Sequence, residues 1–171
     1  SGLDTFDADV NHILLGDGGV AGFFINRPVG TIYFAKTNNL RLWAVGNHPS
    51  AGSTANGGFV TGISALNGDS SRFGRYVLGY TNTMLCNNGI TFGCRGYGGW
   101  MGFNPSNAPG SSVAYFRNLA NTGRQTRWSI ADRLGAGNGA SQNVSCELDF
   151  SLGVVDALVG TLTIGVNNQV N

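Results

Sequence analysis

Apolar and polar residues alternate one by one in short runs, and the runs are broken by Gly, Asn, Ser and Pro. That period of two places successive side chains on opposite faces and predicts β-strands. Thr31-Ile32-Tyr33-Phe34-Ala35 is one such run, and Leu40-Arg41-Leu42-Trp43-Ala44-Val45 is another. With Asn38-Asn39 read as the turn between them, they predict a hairpin. Residues 10–15 and 20–26 precede them as strands, separated by the turn signal Gly16-Asp17-Gly18-Gly19. Residues 59–64 and 72–80 follow, on either side of Asn67-Gly68-Asp69. Residues 83–86 and 90–92 flank Asn88-Gly89, the strongest kind of hairpin signal. Residues 147–155 and 157–166 read as two further strands meeting near Asp156, and residues 1–9 as a polar, acidic lead-in. No helical period emerges, and residues 129–134 offer at most one short helical turn.

The pattern is stated twice. The run from Phe24-Ile25-Asn26-Arg27-Pro28-Val29-Gly30 through Tyr33-Phe34 to Arg41-Leu42-Trp43 is echoed some eighty residues later. The echo is Met101-Gly102-Phe103-Asn104-Pro105, then Ser112-Val113-Ala114-Tyr115-Phe116, then Arg127-Trp128. A small Gly/Ser/Asn loop follows each copy. The expected organisation is therefore a lead-in and first strand at 1–19, a first β repeat at 20–80, and a second, diverged repeat at 81–171. The expected fold is all-β, an antiparallel β-sandwich-like unit with an internally duplicated core. The final run, 152–164, carries little charge and is apolar on both faces, which asks for cover from a second sheet or a second copy.

Composition narrows the functions. Charged residues are 11% and Gly is 28 of 171, against about 25% and about 7% in an ordinary domain. Many tight turns fit this, whereas disorder does not, because 42% of residues are hydrophobic and the net charge is +1. Lys36 is the one lysine and the arginines are scattered, which argues against nucleic acid as a partner. No run reaches the length of a membrane span, so membrane insertion is not expected. Ser1-Gly2-Leu3-Asp4 lacks the regions of a signal peptide and is consistent with a module cut from a longer fibre. Cys86, Cys94 and Cys146 do not have zinc-ligand spacing. Across an Asn88-Gly89 hairpin, Cys86 and Cys94 would face each other closely enough to bridge. The alternative is two reduced, half-buried thiols.

Together, Ile25-Asn26-Arg27-Pro28-Val29-Gly30, the apolar strand, Arg41-x-Trp43 with Ala44-Val45-Gly46, and the Gly/Ser/Asn loop resemble the repeat of bacteriophage tail fibres and tailspike-like proteins. Related domains sit in trimeric fibre-tip adhesins of bacteria. The resemblance covers residues 20–80 and, more weakly, 99–166. The second copy departs from it, because Asn104-Pro105 lacks the intervening Arg and Ala131-Asp132 replaces Val45-Gly46. The resemblance implies a homotrimeric β fibre segment, on a virion tail fibre or a bacterial cell-surface fibre, that contacts a target cell through a glycan or lipopolysaccharide.

Candidate chemistry is consistent with binding. Sugars stack C–H faces on aromatic rings and pair hydroxyls with Asn, Arg and backbone groups. Tyr97, Trp100 and Phe103 lie on or beside a Gly-rich stretch with Arg95 and Asn104 adjacent. Arg95, Tyr97, Trp100 and Asn104, with the loop residue His48, are the expected ligand-binding residues. The competing expectation places Trp100 and Phe103 in the core, and Trp43 and Trp128 are expected there too. No nucleophile elbow, metal motif or phosphate loop is present, so neither catalytic residues nor metal nor cofactor are expected. Glu147 and Asp149, at i and i+2 on one strand face, are the residues a polysaccharide depolymerase would use. A purely structural trimerisation segment is the third alternative.

Overall fold

The computed structural model describes residues 3–10, 13–15, 29–43, 63–66, 73–94, 99–130 and 146–165. No helix forms among the described residues, and the strands fall into three sheets. Sheet A runs, in spatial order, β1 (Thr5–Val10), β4 (Thr37–Leu42), β7 (Thr81–Cys86), β10 (Ser112–Arg117) and β13 (Gly153–Ala157). Sheet B runs β14 (Val159–Ile164), β11 (Gln125–Ile130), β8 (Gly89–Cys94), β5 (Ile63–Leu66) and β2 (Ile13–Leu15). Sheet C runs β12 (Cys146–Asp149), β9 (Gly99–Phe103), β6 (Phe73–Leu78) and β3 (Val29–Tyr33).

Consecutive strands visit A, B and C in turn, and each pairs in parallel with the strand one coil away, as β4 does with β7 and β6 with β9. The chain is a parallel β-solenoid of stacked coils. This corrects the antiparallel, sandwich-like expectation. The alternation does mark strands, but the expected hairpin turns are not hairpins. Asn87-Asn88-Gly89 carries the chain round a corner from sheet A into sheet B, so β7 and β8 do not pair. Gly89 has φ of 93°, the left-handed conformation that such a corner needs. The possible Cys86–Cys94 bridge depended on a hairpin that does not form, and the Cys94 side chain lies outside the described residues. Residues 5–10 are strand β1 rather than lead-in.

The coils are unequal. Thr5 pairs with Thr37, Thr37 with Thr81, Thr81 with Val113 and Val113 with Val154, so the chain advances 32, 44, 32 and 41 residues per coil. Two coils span 76 residues, from Thr5 to Thr81 or from Thr37 to Val113. The doubled pattern lies near that two-coil period but is shifted off the structural register. Tyr33 belongs to sheet C, and Tyr115 to sheet A.

Inward columns build the core. In sheet A, Ala8, Leu40, Met84, Phe116 and Ala157 stack in register, and in sheet C Ile32, Tyr76, Met101 and Leu148 do so. Trp128 enters from sheet B, meets Phe116 edge-on at 4.8 Å between ring centroids, and donates its indole N–H to Gln125 Oε1 at 2.7 Å. Phe103 is also core, at 1% exposure.

Two inward positions are polar. Asn38 and Asn82 are fully buried and stacked on adjacent coils, with Asn38 Nδ2 donating to Asn82 Oδ1 at 2.8 Å. Each carboxamide also closes the corner that leads from sheet C into sheet A. Asn38 accepts from Ala35 N and donates to Ala35 O, and Asn82 does the same with Gly79 N and O. Asn82 further donates to Val113 O on the next coil at 3.0 Å. Asn38-Asn39, expected to be a turn, is instead strand β4 with Asn38 facing in. Gly79 is required at its corner, because a Cβ there would stand 1.9 Å from the Ala35 carbonyl oxygen of the coil beside it.

Candidate functional site

The outer face of sheet C collects candidates that are far apart in sequence. Because Tyr76 and Met101 face the core, their neighbours face out. Thr31, Arg75, Trp100 and Glu147 form one outward row across β3, β6, β9 and β12. Tyr33, Val77, Gly102 and Asp149 form the next. Trp100 and the Glu147/Asp149 pair, separate candidates in the sequence, thus share one surface.

Trp100 lies outside the core cluster, yet it is only 9% exposed. Its six-membered ring lies across Gly102, where a Cβ would come within 2.5 Å of it. The Arg75 guanidinium carbon stands 4.7 Å from the ring centroid. This cation–π contact holds both groups in place. Tyr33, one strand over, is 59% exposed. Glu147 is exposed at the other side of Trp100, and Asp149 is half-buried beside it. Asp149 Oδ1 accepts from Ser151 Oγ at 2.6 Å and Ser151 N at 3.0 Å. The hydroxyl, and after it the backbone N–H, holds this carboxyl below its ordinary value of 3.8. A lowered value suits a hydrogen-bond acceptor and is opposite to what a glycosidase acid requires.

That shift has a defined sign. A carboxyl whose folded value lies below its unfolded one contributes stability above about pH 4, and the contribution is lost as pH falls through the folded value. Asp4, just before β1 of sheet A, follows the same rule, held down by a hydrogen bond and ion pair with Lys36 at 2.7 Å. Carbon-detected NMR titration should find the midpoints of both carboxyls below the ordinary value of 3.8. Ser151→Ala should raise Asp149 alone and only part of the way to its ordinary value, because the Ser151 N–H still donates to it, and Lys36→Ala should return Asp4 alone.

The other expected residues divide. Asn104 directly follows β9 and its side chain serves the local turn, its Oδ1 accepting from Ser106 N at 2.9 Å. Arg95, Tyr97 and His48 lie outside the described residues. Trp128 is core, as expected, but Trp43 is not. It is 45% exposed on sheet A, donates its indole N–H to Asp9 and has Arg41 5.9 Å from its ring centroid. Sequence reasoning missed Arg75 and Tyr33. The available signal was period two around Tyr76, which sends Arg75 to the opposite face.

Among the described residues no group of three or more His, Cys, Asp or Glu is arranged to hold a metal, and no helix is long and apolar enough to cross a membrane. No protein-family model matches the chain, and comparison with curated proteins and with solved structures likewise gives no match.

Proposed function

We propose that this chain is the receptor-binding part of a trimeric fibre, on a virion tail or a bacterial surface, and that it attaches to a target cell by non-covalent glycan recognition. The observation that carries the reading is the outward group Tyr33, Arg75, Trp100, Glu147 and Asp149 on sheet C. It combines an exposed ring with donors and acceptors for hydroxyls, on a framework that keeps them in fixed register. Weak single sites would be strengthened by three copies acting together. A glycan array that includes lipopolysaccharides, probed with the intact protein, tests it, and no bound glycan sinks the glycan reading. A mass near one chain in light scattering sinks the trimer.

A depolymerase is the second reading, favoured by the placement of Glu147 and Asp149 beside an aromatic ring. New reducing ends from a polysaccharide, abolished by Glu147→Gln, would establish it in place of simple binding.

A further inference from the structure

Arg75 is exposed on the outer face of sheet C, and its guanidinium is positioned by the indole of Trp100 rather than by an acid. Among the described residues no acceptor lies within hydrogen-bond distance of its N–H groups, and no carboxylate pairs with it. The contact with the ring is a cation–π contact of the guanidinium carbon, 4.7 Å from the centroid, and uses none of the N–H groups as hydrogen-bond donors to an acceptor. The fork of N–H donors has no acceptor among the described residues, and such a fork matches a carboxylate in bidentate geometry. Its position is restrained before any ligand arrives, which lowers the ordering cost of binding. Tyr33 lies on the adjacent strand, two residues beyond Arg75's own partner Thr31, and presents a ring that is 59% exposed.

We infer that Arg75 and Tyr33 form a subsite for a carboxylate-bearing sugar unit, such as a uronate or sialate, with the guanidinium holding the carboxylate and Tyr33 facing the sugar ring. This rests on the reading of sheet C as a glycan-binding face. The two acidic residues of the face give the bound chain a direction. Glu147 lies two strands from Arg75 in the same row, beyond Trp100, at a spacing of about 9.6 Å. Asp149 lies next to Glu147 in the neighbouring row and is kept ionised by Ser151. Both repel an anion and accept hydroxyl protons. The acidic unit therefore sits toward β3 and β6, and a neutral, hydroxyl-rich unit over β12.

The test is a glycan array on which each uronate- or sialate-bearing glycan is printed beside its carboxyl-reduced twin. It is read with the full chain and with R75A, R75K and R75Q. The carboxylated member of a pair should bind at least about tenfold more tightly than its twin, the worth of one charged hydrogen-bonded contact. R75A should abolish that discrimination, and R75K should restore only part of it, because an ammonium lacks the fork. If R75A does not fold, R75Q carries the test, since it keeps a polar stem without the charge. Twins that bind equally, or discrimination that survives both R75A and R75Q, would overturn the assignment. Hits confined to neutral glycans would overturn it while leaving the glycan reading standing, and no bound glycan at all would overturn both.

Discussion

Asn82→Ala is expected to lower the unfolding free energy by about 3 kcal/mol. The side chain is fully buried and occupies every hydrogen-bonding position its amide offers. Its removal strands Gly79 N and Gly79 O at the corner and the Asn38 Nδ2 hydrogen that points at it, and takes one bond from Val113 O on the next coil. Each unsatisfied buried group costs about 1–3 kcal/mol, and partial relaxation keeps the total below the simple sum. Asn39→Ala is the control. Asn39 is exposed on the same sheet, bonds Asp7 through solvent-accessible atoms, and should change stability by less than about 1 kcal/mol. Urea unfolding of the three proteins checks this, with the comparison made at unchanged slope. Equal effects at positions 39 and 82 would mean that the buried Asn pair does not hold the coils together.

The pair also marks where sequence reading stops. Asn38 and Asn82 have the composition of turn residues, and period two read from hydrophobicity alone gives no reason to turn an Asn inward. Their burial is satisfied only by partners supplied by the fold, a corner three residues back and a second Asn 44 residues away. Strand content was legible, because in-and-out alternation is a local property. Parallel pairing was not, because Asn-Gly bends a backbone equally well into a hairpin or round a solenoid corner. Coils of 32, 44, 32 and 41 residues further blur any fixed period.

The candidate site shows the same division. Trp100, Glu147 and Asp149 were recognisable as residue types, and the shared face of Glu147 and Asp149 followed from their spacing. Their juxtaposition with Trp100 depends on the register of β12 against β9, and Arg75 joins them through the register of β6. Those registers are set by inward residues such as Tyr76, Met101 and Leu148, because a slip of one residue would turn them out to solvent. The core thus decides which outward residues become neighbours.

Phe116→Ala should therefore cost about 3–5 kcal/mol, the range for deleting a buried aromatic side chain. Phe116 has no exposure, meets Trp128 edge-on at 4.8 Å and Phe150 at 6.2 Å, and stacks between Met84 and Ala157. Its neighbours come from sheets A and B and from Phe150, just past the end of β12, so little of the void can close without moving a sheet. Phe116→Leu should cost less, since a smaller void remains. Tyr115→Ala, one residue earlier on the outer face at 39% exposure, should stay within about 0.5 kcal/mol. In a solenoid each coil is stabilised mainly by the coils on either side. Hydrogen exchange in Phe116→Ala should accordingly rise most in β7, β10 and β13 and least in β1. Uniform loss of protection across all coils would show that the fold unfolds as one unit, and a loss below 1 kcal/mol would show that the Phe116 site collapses freely.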